Sequence, residues 1–307
     1  MDITLTQLRY FTEAAARLSM TLAADRLHVA QSAISSAVAH LERQIGSQFF
    51  IRQRSKGLAL TPAGEAFLRD ALAVLGHVED IVEKARGEQL SVAGRVRIAC
   101  FSTLAPFLIP GLLSRLSQDY PQLVVEVLEA DAAGCSNALL NGQADLALGY
   151  DLGIPEGVAT TVVDRARPYL LLPHDHRFAK RSSLDLEDMA GGPFILLDMP
   201  YTRDLMLSLL RDTGISPEVR FQSGSFETVR TLVAHGHGYS ILHQHPHHNM
   251  TYDGQQVAAV QITNAVPQLD IVIAHLRTQR ATARMRAVGR CVRDQLAELS
   301  GQQPAEA

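Results

Sequence analysis

Along the first sixty residues, apolar positions recur in helical steps. Leu22 to Leu27 reads as a short helix, with Thr21 as its N-cap and Ala23, Ala24 and Leu27 as a small packing face. His28-Val29-Ala30 interrupts that pattern. A second helix is expected from about Ser32 to Gln44, because Ile34, Val38, Leu41 and Ile45 form one apolar stripe. Gly46 stands where a helix-ending glycine belongs. Phe49-Phe50-Ile51 and Leu58 to Leu60 then read as two short strands around a Ser55-Lys56-Gly57 turn.

Thr61 and Pro62 mark the start of a long helix reaching about Gly87. Phe67, Ala71, Val74, Val78, Ile81 and Ala85 alternate steps of three and four along it. That spacing predicts a coiled-coil-like seam between two subunits. Glu88 to Gly94 reads as a hinge.

From Arg95 the pattern turns to strands alternating with helices. Val96–Cys100, a helix over Leu104–Ser117, Leu123–Leu128, a helix over Asn137–Leu140, and Asp145–Tyr150 form a βαβαβ order, which predicts a parallel sheet. A second set follows: strands at Arg167–Leu172, Phe194–Leu197, Val219–Phe221 and Tyr239–Leu242, with helices at Tyr201–Asp212 and Phe226–Ala234. Residues 269–275 and a helix over Thr282–Leu299 complete the chain. The predicted class is α/β, with two lobes and a cleft between them.

Composition changes the picture only locally. An apolar fraction of 47% is ample for packed cores in a chain of 307 residues. The net charge of −4 looks wrong for a nucleic-acid binder. Residues 1–65, however, hold seven Arg/Lys against five acids, or +2, which leaves −6 for the remainder. The three cysteines, Cys100, Cys135 and Cys291, have no metal-site spacing, and their odd number argues against a disulfide framework. No secretion-signal pattern or 18-residue apolar run is present, so a cytoplasmic location away from the membrane is expected.

The helix–turn–helix–hairpin order suits a helix carried into the major groove of DNA. Gln31, Ser32, Ser35 and Ser36 lie near the start of the second helix, the serines opposite the apolar stripe. Gln can bind adenine through two hydrogen bonds, and Ser can donate or accept at several base edges. Arg52, Arg54 and Lys56 cluster in the hairpin, where a basic wing can neutralise phosphates.

This segment resembles the N-terminal domain of LysR-type transcriptional regulators. The resemblance rests on Leu8-Arg9-Tyr10-Phe11, Ser19, Thr21, Ala23-Ala24, Leu27, Gln31, Ser32, Ser35, Leu41-Glu42, Gly46, Phe50, Arg52 and Leu60-Thr61-Pro62-Ala63-Gly64. Two departures are Met20, where members often carry Phe, and Ser36, where many carry Arg. The resemblance implies a winged helix-turn-helix over residues 1–61, a pairing linker over 62–93, and an effector domain of periplasmic-binding-protein type over 94–307. Lobe I then covers about 94–164 and 267–300, and lobe II about 165–266. It also implies double-stranded DNA, a second copy of the chain (dimer or tetramer), a small-molecule effector and RNA polymerase as partners.

The looser match in the C-terminal part rests on Ile109-Pro110, Tyr120-Pro121, Gly142 with Asp145-Leu146-Ala147, and Leu232-Val233 to Gly236 and Gly238. Candidate effector contacts sit at strand ends and helix starts: Ser102, Thr103, Tyr150, Thr202, Arg203, Ser225 and Phe226. Helix N–H groups with Ser102 and Thr103, and a bidentate Arg203, would suit a small organic anion. No cofactor is expected.

Two other readings compete. His235 to His248 contains six of the twelve histidines, so a metal-responsive regulator is one variant. A metabolite-binding or enzymatic α/β protein with a vestigial DNA domain is the other. No GxSxG, Walker-type loop or HExxH occurs, and Gly134-Cys135-Ser136 has no identifiable catalytic partner, so an enzyme is not expected.

Overall fold

A computed structural model describes residues 2–53, 57–86 and 92–301. Helix α1 (Leu5–Arg17) is opened by a capping box in which Thr4 and Gln7 each bond the other's backbone N–H. α2 (Met20–Leu27) starts two residues earlier than its pattern suggested. Its cap is Ser19, whose hydroxyl accepts from Leu22 N at 3.2 Å, and Thr21 lies inside the first turn. The turn at His28 adopts a left-handed conformation, φ 55°. α3 (Gln31–Ile45) then buries Ile34, Val38 and Leu41, and Gly46 ends it with φ 77°.

Strands β1 (Phe50–Gln53) and β2 (Gly57–Leu60) form the antiparallel hairpin. Glu42 on α3 holds it in place, accepting from Phe49 N at 2.7 Å and Phe50 N at 3.2 Å. α4 (Pro62–Arg86) follows Thr61, whose hydroxyl accepts from Gly64 N and donates to Gln48 O. Gly64 has a steric role: a Cβ there would lie 2.2 Å from Phe49 O. An aromatic cluster seals this domain. Phe11 packs within 5.5 Å of Phe49, Phe50 and Phe67, and Phe49 stacks on Phe67 at 4.4 Å.

That cluster corrects the seam. Phe67 and Ala71 belong to the core of their own domain, so only the later part of α4 keeps exposed apolar positions, among them Val74, Ile81 and Val82. The side chain of Ala85 lies outside the described residues.

In lobe I, β3 (Gly94–Phe101), α5 (Ala105–Asp119), β4 (Leu123–Ala130), α6 (Ala132–Leu140) and β5 (Leu146–Tyr150) form the expected βαβαβ unit. β4 and β5 flank β3 in parallel. The next strand, β6 (Val158–Ala166), lies in a segment for which no strand was expected. It carries polar residues on an exposed edge, which hides its pattern.

Lobe II contains β7 (Tyr169–Pro173), β8 (Ser183–Leu184), β9 (Pro193–Leu197), α7 (Thr202–Asp212), β10 (Glu218–Ser223), α8 (Phe226–Ala234), β11 (Ser240–Leu242) and β12 (Val257–Ile262). β12 was also unexpected. The four-stranded order is β11-β7-β12-β8, beside a parallel β9–β10 pair. The chain returns to lobe I as β13 (Leu269–Leu276), which runs antiparallel between β5 and β6, and ends with α9 (Ala283–Gly301) packed on α5. The first sheet is therefore mixed, in the order β4-β3-β5-β13-β6.

The N-terminal helix–turn–helix domain rests on lobe I. Arg26 on α2 ion-pairs with Glu126 on β4 at 2.5 Å. Gln143 donates to Ala16 O at 2.7 Å, and Leu72 of α4 packs against the apolar cluster beneath α6.

Candidate DNA-reading face and effector cavity

The first candidate site is one face of α3. Gln31, Ser32 and Ser36 are exposed and Ser35 is half-buried. Gln31 Nε2 donates to Ser35 Oγ at 2.8 Å, which orients the amide on the outer face. Ala30 at the N-cap offers no capping side chain, and Ala33 N already donates to Ala30 O, which leaves the Gln31 and Ser32 N–H groups for a phosphate. Ile34, Val38 and Leu41 anchor the opposite face. Arg52 lies in β1, whereas Arg54 and Lys56 fall outside the described residues.

The second candidate site is a cavity between the lobes. Phe101, Leu197, Met206, Ile241 and Leu269 supply much of its apolar wall. Its polar groups come from Thr103, Tyr150, Thr202, His243 and Gln244. The space open to a water centre is about 20 Å³, where one water needs roughly 10–15 Å³. As folded, the cavity therefore holds one or two waters.

Hydrogen bonds across the lobes define the polar side. Gln244 Nε2 donates to Tyr150 Oη at 2.8 Å, and Thr103 bonds the same phenol. Tyr169 Oη donates to Gln244 O at 2.9 Å, so Gln244 joins a lobe I tyrosine to a lobe II tyrosine. Burial pushes the Tyr150 phenol up to about 12 and the His243 imidazole down to about 4, so both are neutral at pH 7. His243 Nε2 is buried without a partner among the described residues.

Tyr201 makes a separate contact between the lobes. It precedes Thr202 at the N-cap of α7 with φ 64°, an outlying conformation for a bulky residue. Its ring lies against Gly153 in the loop after β5, where a Cβ would come within 2.4 Å of the ring. Glycine is what permits this contact between lobes.

Of the effector candidates, the fold brings Thr103, Tyr150, Thr202 and Phe226 to the cavity. Ser102, Arg203 and Ser225 are not among its lining residues. Arg203 is corrected most clearly: it pairs with Asp198 at 3.0 Å and Gln222 at 3.3 Å, and its side chain is 46% exposed. Ser225 caps α8, accepting from Thr228 N at 3.2 Å. Ser102 gives its N–H to Ala130 O, and neither it nor Thr103 caps α5.

His243 and Gln244 are the residues that pattern reading missed. They directly follow β11, and the rule that ligands gather at carboxyl ends of strands would have marked them. The fold disperses the histidine run instead of assembling it. His243 faces the cavity, His245 packs on Tyr169 with ring centroids 5.1 Å apart, and His235 pairs with Asp253 at 2.7 Å. Among the described residues, no group of three or more His, Cys, Asp or Glu is placed to hold a metal ion. All three cysteines are buried free thiols, and burial pushes Cys100 and Cys135 up, Cys135 to about 12. Among the described residues, no helix is long and apolar enough to cross a membrane.

Comparison with known proteins bears on both sites. Residues 5–65 match the model for the bacterial regulatory helix-turn-helix protein, lysR family, and residues 90–297 match that for the LysR substrate binding domain. The chain is 32% identical over 248 residues to YnfL of Escherichia coli K12, an uncharacterized HTH-type transcriptional regulator, covering 79% of this chain and 82% of that one. It is 31% identical over 241 residues to a probable hydrogen peroxide-inducible genes activator of Streptomyces viridosporus, covering 78% and 77% of the two chains. Among solved structures, it is similar to HinK, a LysR family transcriptional regulator from Pseudomonas aeruginosa. The TM-score is 0.66 at 34% identity, over 97% of this chain and 100% of that one.

Proposed function

The chain belongs to the LysR family of transcriptional regulators, and on that premise we propose which parts of it read DNA and which sense a metabolite. LysR regulators bind DNA through their helix-turn-helix, bind effectors in the C-terminal domain and act as oligomers. The carrying observation is the exposed Gln31–Ser35 pair on α3, anchored from behind by a buried stripe and tied through α4 to a two-lobed domain with an enclosed cavity.

In this reading α3 enters the major groove, with Gln31, Ser32, Ser35 and Ser36 at base edges and phosphates. Arg52, Arg54 and Lys56 neutralise phosphates from the wing. The exposed part of α4, with Val74 and Ile81, pairs two copies over an inverted repeat. Thr103, Tyr150, Thr202, Phe226, His243 and Gln244 hold the effector. Its binding shifts the population of lobe arrangements, and the Arg26–Glu126 and Gln143–Ala16 contacts carry that shift to the DNA-binding domain. Contact with RNA polymerase and a cytoplasmic location belong to the same proposal.

A peroxide response through thiol oxidation, which the name of the Streptomyces relative brings to mind, draws no support from these cysteines. A buried thiol whose pKa is raised offers little thiolate to an oxidant. Footprinting on DNA upstream of the protein's own gene tests the regulator reading. The expected result is a protected region with dyad symmetry; no protection at low salt by the folded oligomer overturns it.

A further inference from the structure

We infer that the effector is a compact, uncharged molecule, with a hydrogen-bonding head held by Thr202 and His243 and an apolar body against Phe101, Met206 and Ile241. This rests on the reading that the cavity between the lobes is the effector site.

The first argument is the charge of the wall. No Lys, Arg, Asp or Glu is among the residues that line the cavity. Nearby charges are already matched. Arg230 is buried, donating to Glu227 at 2.9 Å and to Met250 O at 2.8 Å. Arg203 is held by Asp198 outside the cavity. A carboxylate entering here would lose its water without gaining a counter-ion, a heavy cost in an apolar site.

The second argument concerns the three helices that start at the cavity. Helix N-termini can hold an anion without any cation, yet each of these has first-turn N–H groups removed or already engaged. α5 has proline at its start, and Pro106 offers no N–H. α7 carries Asp204 in its first turn, and the Arg203 N–H already donates to Met199 O. α8 is capped by Ser225, whose hydroxyl already accepts from Thr228 N. The Asp204 carboxylate offsets the positive dipole end of α7 that an anion would need.

The third argument is what stays unsatisfied. The Tyr150 phenol is engaged by Gln244 and Thr103. His243 Nε2 is buried without a protein partner among the described residues, and Thr202 adds a hydroxyl-bearing side chain to the cavity wall. A neutral imidazole and a hydroxyl match an amide, alcohol or similar neutral head. The small volume sets the size: the ligand is compact.

Butyramide and butyrate, near-isosteric and differing in charge, are the probes. Their binding to the full-length protein at neutral pH is measured by saturation-transfer NMR. Ligands of this size bind weakly, so both are titrated to roughly tens of millimolar. The expected result is that butyramide binds about tenfold more tightly than butyrate, the factor given by one good hydrogen bond unopposed by a buried charge. Thr202→Val weakens butyramide by roughly three- to tenfold, whereas Thr202→Ser, which keeps the hydroxyl, retains it. Butyrate binding as tightly as butyramide, neither binding at tens of millimolar, or no effect of Thr202→Val would each overturn the inference. Footprinting of the same preparations separates the two levels. A footprint with no fragment bound sinks the ligand class and leaves the regulator standing, whereas a missing footprint sinks the regulator reading itself.

Discussion

The proposed DNA-reading face and the proposed effector cavity are built in opposite ways. Gln31, Ser32, Ser35 and Ser36 lie within six consecutive positions of one helix, exposed or half-buried, over a stripe that recurs in that same helix. The cavity takes its wall from β3, β5, β9, α7, α8, β11 and β13, and its polar groups are buried or half-buried. A surface site on a single helix needs only that helix and its anchor. An enclosed site needs the whole domain to bring distant segments together, and its chemistry is set by desolvation as much as by residue type. Function in the first region tracks side-chain identity; in the second it tracks burial.

The largest expected effect tests whether the two regions are separable. Phe11→Ala removes the ring at the centre of the Phe49–Phe50–Phe67 cluster and should cost the small domain about 3–5 kcal/mol. Calorimetry should show that domain melting early while the effector domain keeps its transition. One merged transition at lower temperature would mean that the Arg26–Glu126 and Leu72 contacts fuse them into a single cooperative unit.

Acid should act on the cavity next. His243 is held at about 4 when folded, below its ordinary value of 6.5. The unfolded chain then binds a proton that the folded one refuses between these values, so stability falls as pH drops from 6.5 towards 4. The loss from this group is roughly 3 kcal/mol at most by that linkage. Urea midpoints at neutral and acid pH should differ less in His243→Leu than in the unsubstituted protein. An unchanged slope would show that the imidazole is solvated.

Gln31→Ala should cost about 1–3 kcal/mol against the preferred site and little against random DNA. Arg52→Ala should weaken both alike and reduce the salt slope by about one. Competition binding at two salt concentrations checks the pair, and equal losses for both variants would collapse the distinction between reading and neutralising. Glu126→Gln should give the smallest effect. It breaks a partly exposed ion pair worth about 0.2–1 kcal/mol, detectable as a small change in DNA affinity or in the response to a bound fragment.

Legibility followed the same divide. The α3 stripe, the Gly46 stop and the Thr61-Pro62 start were plain, because each is decided within a few residues. Even there, Ser19 took the cap assigned to Thr21, since two candidate hydroxyls two residues apart are separated only by which backbone N–H each can reach. β6 escapes the pattern because an exposed edge strand keeps polar residues, and β12 because Ala258 and Ala259 give a short run little strand preference. Arg203 looked like a carboxylate clamp by position, and a neighbouring Asp198 decided otherwise.

By itself, the sequence determined the helix-turn-helix with its basic hairpin, the long α4, and the alternation of strands and helices that makes two lobes. Those are local matters of periodicity, capping and turn chemistry. Only the tertiary structure decided that Phe67 and Ala71 serve their own domain and that β13 runs antiparallel into the first sheet. It alone placed His243 and Gln244 beside Tyr150, in a cavity whose wall carries no ionised side chain among the described residues. The physical reason is that these outcomes depend on which surfaces exclude water together, and that is a property of pairs of segments far apart in the chain.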